Sequence, residues 1–234
     1  MAMKKNGTPV RVQITPGKIA FAVLIAVLYN SWVWWTATGS HSPFIGYLSE
    51  LAAKDQPASW FFRSADCLAA ITVGVLAIVG ARRWRGWLGA AAGYLSAALG
   101  AFAVFTVVDA VFPMPCATTF DAACKAREAE NFFAPEFFMH TAASTLVGTA
   151  IMVSVAVVWW VHRSRGVLAV GLLIGGAMLA TIAIAFTVGR GHGIWQAIQV
   201  LATTGWFAYL IFHLDADSSL DARFHPGARR VEAP

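Results

Sequence analysis

An all-α integral membrane bundle of six transmembrane helices is the fold this sequence predicts, and three observations predict it. The 234-residue chain is 58% hydrophobic and only 12% charged, whereas a soluble domain carries about a quarter charged residues. Six apolar runs reach the roughly 20 residues that a helix needs to cross a bilayer. The basic residues sit in short clusters between those runs, as in the loops that flank a membrane. The net charge of +5 therefore reads as topology. A nucleic-acid surface would gather its charge into one stripe, so no nucleic-acid partner is expected.

The runs cover residues 19–37, 60–81, 87–112, 137–161, 167–188 and 194–214. They are apolar on nearly all sides and rich in Ala, Leu and Gly. Barrel strands are shorter and alternate in polarity, so helices are favoured. The first run follows Lys4, Lys5, Arg11 and Lys18 and ends near Ala37 and Gly39, which has the outline of a cleaved signal peptide. Its Asn30, Trp32, Trp34 and Trp35 make a poor signal core, and a retained span is expected. The chain then divides into a cytoplasmic N-terminal segment (1–18), a six-helix transmembrane domain (19–214) and a flexible cytoplasmic tail (215–234) that contains Pro226 and Gly227.

Orientation follows from Lys and Arg. Twelve lie on one side: Lys4, Lys5, Arg11, Lys18, Arg82, Arg83, Arg85, Arg163, Arg165, Arg223, Arg229 and Arg230. The remaining five of the seventeen, Lys54, Arg63, Lys125, Arg127 and Arg190, lie on the other. The positive-inside rule makes the richer side cytoplasmic, with both termini inside and two longer external loops, 38–59 and 113–136. Membrane lipids are the expected partners, and a protein partner or a homo-oligomer stays open.

Cys116 and Cys124 share the second external loop. An oxidising compartment favours a disulfide there. The alternatives are two free thiols or a zinc site, and the loop offers no second close Cys or His pair for zinc. Cys67, inside the second run, reads as a small buried hydrophobe.

Ionisable residues inside apolar runs are expensive and face the bundle interior or water. Arg63 and Asp66 open the second run, Asp109 closes the third, and His140 and Ser144 lie one turn apart in the fourth. Gln196 and Gln199 open the last. All fall in the same half of the membrane. The functional reading is an outward-opening pocket with an Asp66–Asp109–His140 core and Arg63 as an anion-binding or charge-balancing group. Asp66, Asp109 and His140 form a candidate divalent-metal set. Alternatively His140 is a general base with Ser144 or Ser64 as nucleophile. Arg63 and Gln196 are candidates for holding a small ligand. The purely structural reading pairs Arg63 with Asp66 or Asp109 and makes no product. His192 and Arg190 read as solvated, and His213 as interfacial. The Gly-rich stretch of the fifth run serves close helix packing. The common phosphate-loop, metalloprotease, esterase and haem-attachment signatures are absent.

These residues carry a family resemblance. Three blocks matter: "SPFIGYLSELAAKDQPASWFFRSAD", then an "FP" followed by "CATTFDAACKARE", then His140 and the later "GHGIWQAIQV". Together they resemble the prokaryotic multi-pass membrane family catalogued as domain of unknown function 998, from about Tyr29 to Leu214. The resemblance implies six helices and a bacterial cytoplasmic membrane, and it supplies no reaction. Ala69 and Ala70 stand where relatives often have Gly, and Gln196 stands where an acidic–basic pair is common. The leading expectation is a non-enzymatic protein, either a lipid- or small-molecule-binding module or a partner subunit. The alternative is a membrane-embedded hydrolase at the outer leaflet, with or without a divalent metal.

Overall fold

Apolar runs of this length become helices because a bilayer core offers the backbone no partner but itself. The computed structural model describes residues 12–216. The predicted N-terminal segment before residue 12, the tail after residue 216 and their six basic residues lie outside the described residues. Nine α-helices appear within them: α1 (Pro16–Tyr29), α2 (Trp35–Thr38), α3 (Ser59–Arg83), α4 (Arg85–Leu88), α5 (Ala91–Val111), α6 (Ala122–Glu130), α7 (Pro135–His162), α8 (Arg165–Thr187) and α9 (His192–Phe212). Two 3-10 turns, Ser31–Trp34 and Leu48–Ala52, complete the described elements, and none of them is a strand. Helices α3, α5, α7, α8 and α9 are each long and apolar enough to cross a membrane, and α1 with its bent continuation makes a sixth. The six form a ring in the order α1, α3, α5, α7, α8, α9 and back to α1.

The structure departs from the six simple runs in three places. The first run is broken: Pro16–Tyr29 and Ser31–Thr38 meet at a 55° bend. Asn30 sits at the break, and its side-chain amide donates to the Ala26 carbonyl (2.8 Å) and to Thr204 Oγ1 (2.9 Å). An Asn side chain that bonds its own backbone competes with helix continuation. The third run starts late, because Gly89 has φ +58 and separates α4 from α5. The second long loop holds a helix, α6. Its N-cap is Asp121, whose carboxylate accepts from Ala123 N–H (2.9 Å) and Cys124 N–H (3.0 Å).

One end of the ring is closed by indoles. Trp84, Trp87 and Trp206 are buried there among Leu95, Leu99, Phe207 and Leu210. The Trp84 ring folds back over Gly80, where a Cβ would collide with it. Trp84 Nε1 donates to the Leu210 carbonyl (3.1 Å), and Trp206 Nε1 donates to Ser154 Oγ (2.8 Å). Lys18 reaches from α1 to the end of α9, donating to the carbonyls of Phe212 (3.3 Å) and Leu214. A cation suits the negative end of a helix. Arg83 pairs with Asp215 across the same end (3.4 Å).

The other end is capped by the two long loops, and acids from the first hold backbone of the second. Asp55 accepts from Ala117 N–H (3.1 Å). Glu50 accepts from Thr119 N–H (2.8 Å) and Thr118 Oγ1 (3.2 Å). Cys116 and Cys124 stand at disulfide distance, with Cα atoms 6.3 Å apart, which ties α6 to this cap. Gly191 N–H donates to the Ile45 carbonyl (2.7 Å), and a Cβ on Gly193 would overlap the carbonyl oxygens of Pro43 and Gly46.

Glu50 makes the cap sensitive to pH. Burial raises its carboxyl pKa above the usual value, and the hydrogen bonds from Thr119 and Thr118 offset only part of that rise. Folded Glu50 therefore keeps its proton to higher pH than unfolded Glu50. Folding binds a proton across that window, so stability falls as pH rises through it. Glu50→Gln keeps an acceptor oxygen and removes the titration. Melting curves in detergent between about pH 4 and 8 should be flatter for Glu50→Gln than for the wild type. Equal slopes would show that Glu50 is not the group responsible.

Candidate functional site

Five of the six ring helices, α8 being the exception, bring side chains to an axial pocket of about 140 Å³ beneath the loop cap. Tyr29 ends α1, Asp66 lies two turns into α3, and Thr106 and Asp109 occupy the last turns of α5. Ser144 comes from α7, and Gln196 and Gln199 from α9. Trp32 and Leu48 line the pocket from the first loop region. Leu48 is fixed there because its N–H donates to Gln196 Oε1 (2.7 Å).

Asp109 is the most heavily engaged group. Ser144 Oγ donates to its Oδ1 at 2.6 Å. His140 Nδ1 lies 3.1 Å from the same oxygen, but its N–H direction is misaligned for a hydrogen bond. The two groups are thus in close polar contact without a directed hydrogen bond. His140 and Ser144 share one face of α7 because they are four residues apart. His140 is buried behind Asp109, outside the pocket lining. Glu128 of α6 is close enough to His140 to interact with it electrostatically. Burial pushes the Glu128 carboxyl above its usual range, and His140 and Lys125 oppose that shift.

Asp66 is the contrasting group. Its carboxyl group lines the pocket beside Asp109 and has no hydrogen-bond or ion-pair partner among the described residues.

Several sequence expectations change. Arg63 does not join the cluster. Three residues turn a helix by about 300°, which leaves Arg63 and Asp66 about 60° apart on adjoining faces of α3, and the two faces look into different spaces. Asp66 faces the axis, and Arg63 faces an outer groove where its Nε donates to the Ala110 carbonyl (2.7 Å). The three-ligand metal set is not assembled either: no group of three His, Cys, Asp or Glu among the described residues is placed to share an ion. His140 reaches Asp109 from behind, and Asp66 meets the pocket from another helix. Cys67 is a free thiol, half-buried beside the outer groove rather than in the core. His192 is buried against Tyr47, with ring centroids 4.1 Å apart, because Gly191 and Gly193 let the first loop lie on the start of α9.

The order Ser144–Asp109–His140 matters chemically. A serine nucleophile needs a base on its hydroxyl and an orienting group behind that base. Here Ser144 gives its hydrogen bond to the carboxylate, and the imidazole sits on the far side. The arrangement makes a fixed polar wall. The residues that sequence reasoning undervalued are Glu50, Glu128, Tyr29 and Trp32. Glu50 and Glu128 lie inside "SEL" and "KARE", stretches already marked by the resemblance.

A ring of apolar helices around a polar pocket, capped by two interlocked loops, is the architecture of a multi-pass helical membrane protein. The chain belongs to the DUF998 family, described as proteins of unknown function, whose model matches residues 19–213. No curated protein matches the chain, and no solved structure does.

Proposed function

We propose that this protein is a non-enzymatic binding protein of the bacterial cytoplasmic membrane, and that its axial pocket holds a small cationic group such as a primary ammonium. The observation that carries this is the unpartnered Asp66 carboxyl group, which lines the same pocket as Asp109. A lone carboxylate costs on the order of 2.5–3.5 kcal/mol at the centre of a membrane helix on insertion scales, and Asp66, two turns into α3, bears part of that cost. A bound cation offsets that cost. Tyr29 and Trp32 supply aromatic faces, which attract cations by about 0.5–2 kcal/mol each. The pocket is far below the roughly 300–1,000 Å³ of drug-sized sites. It suits a headgroup fragment or the volume of about four or five waters.

The loop cap faces outward in this reading, supported by Lys18, Arg83, Arg85, Arg163 and Arg165 in the stretches expected inside. Reporter fusions near Arg85 and Arg163 should report inside, and those near Lys54 and Lys125 outside. The reverse pattern would turn the pocket to the cytoplasm and sink the outward reading. Binding is tested by thermal shift of purified protein with ethanolamine hydrochloride against sodium chloride of equal ionic strength. Ethanolamine at about 100 times its Kd should stabilise by about 2.7 kcal/mol, and Asp66→Asn should lose that shift. No amine-specific shift in the wild type, or an undiminished shift in Asp66→Asn, rejects the proposal.

A further inference from the structure

We propose that the outer groove between α3 and α5 is a binding site for an anionic phospholipid, with Arg63 holding the phosphodiester. The groove is open, about 540 Å³, and lies on the outer face of the ring. Arg63 is the charged group that lines it. Its Nε–H is used on the Ala110 carbonyl (2.7 Å), which belongs to the last turn of α5. This bond fixes the guanidinium plane at a helix C-terminus, a favourable place for a cation. A guanidinium has five N–H donors, so four remain on the two Nη atoms. No carboxylate pairs with them among the described residues. A pre-oriented, uncompensated guanidinium is the group that takes a phosphate through two parallel hydrogen bonds.

Depth and surroundings choose a lipid over a soluble anion. Arg63 lies four residues into α3, about 6 Å along its axis, which puts the charge near the level where headgroups meet chains. Trp60, 70% exposed, sits one turn closer to the helix end, where indoles settle at the interface. Leu68, 51% exposed and five residues further along α3 than Arg63, continues the groove toward the membrane interior and offers apolar surface to an acyl chain, while Val111, 53% exposed, lines it at the outer end of α5. Ser64 adds a hydroxyl beside the guanidinium. With one unpaired positive charge and no acid in the lining, charge complementarity selects a headgroup with net negative charge over a zwitterion. This site is separate from the axial pocket and does not depend on what that pocket binds.

Native mass spectrometry of the purified protein, titrated with phosphatidylglycerol or phosphatidylcholine of matched chains, tests the site. The wild type should retain phosphatidylglycerol preferentially. Arg63→Gln should weaken that retention about tenfold, the size expected for losing a charge-assisted hydrogen bond. Lys54→Gln, which removes an external-loop cation outside the groove, should not weaken it. Ser64→Asp leaves Arg63 and its bond to Ala110 in place and puts a negative charge in the groove, so it should also abolish the preference. That second variant keeps the test decisive if Arg63→Gln melts early. Equal retention of the two lipids by the wild type, or an undiminished preference in Ser64→Asp, overturns the proposal. Displacement of the lipid by millimolar inorganic phosphate overturns the lipid assignment in favour of a general anion site.

Discussion

Gly193→Val is expected to abolish accumulation of folded protein. A Cβ at this position would overlap two backbone carbonyl oxygens, those of Pro43 and Gly46. Side chains can change rotamer to relieve crowding, but a carbonyl held by its own loop cannot. Overpacking ordinarily costs about 1–3 kcal/mol, and a clash with fixed backbone belongs at or above the top of that range. The overlap also forces the first loop off α9, and that loop carries Glu50 and Leu48. Loop docking and the loop's share of the pocket lining should therefore fail together. Fluorescence-detected size exclusion gives the readout: a void-volume peak or loss of signal for Gly193→Val. Gly176→Ala is the matched control, because a Cβ there meets nothing within 4 Å. A Gly193→Val variant that elutes and melts like the wild type would mean the loop does not lie on α9 as described.

Trp84→Ala should be the most damaging single change at the opposite end. The indole is fully buried, and emptying such a site costs about 3–5 kcal/mol. Part of the loss is directional, because Trp84 Nε1 donates to the Leu210 carbonyl at 3.1 Å. Trp84→Phe keeps most of the volume and drops that bond, so it should cost only about 0.5–1.5 kcal/mol. Melting in detergent should rank wild type, then Trp84→Phe, then Trp84→Ala, with the larger gap at the second step. If alanine and phenylalanine behave alike, the ring contributes little packing and the sealed end has been misjudged.

Hydropathy made the helical spans legible because lipid imposes one demand on all of them: about 20 apolar residues with every backbone group paired. It could not show the break at Asn30, since that depends on Thr204 being 2.9 Å away in space. Helix α6 was readable in principle from its Asp cap and its Ala- and Glu-rich run, but its polar surface sets it apart from a membrane span. In the site, the shared depth of Asp66, Asp109, His140 and Ser144 was legible, but the hydrogen bond from Ser144 to Asp109 was not. The separation of Arg63 from Asp66 was not legible either, because proximity in sequence says nothing about which side of α3 faces the axis. The engagement of Glu50 with Thr118 and Thr119 joins positions almost seventy apart, and no local pattern announces it.

The bend at Asn30 leaves the ring uneven in height. Helix α1 has 14 residues, about 21 Å at 1.5 Å per residue. Helix α7 stands opposite it in the ring and has 28 residues, about 42 Å by the same measure. A hydrocarbon layer of about 30 Å exceeds the straight part of one wall, which reaches span length only with its bent continuation Ser31–Thr38, and falls short of the other. Any part of the layer that the bent segment does not fill is met by thinned lipid beside α1 or by tilt of the ring, each at a fraction of a kcal/mol per ångström of mismatch. The short wall is the one that ends in Tyr29 at the pocket. Bilayer thickness thereby becomes a variable of the pocket itself. Reconstitution in lipids of stepped acyl length should shift the fluorescence of the tryptophans next to Asn30, and an emission indifferent to chain length would show that the uneven ring is absorbed elsewhere.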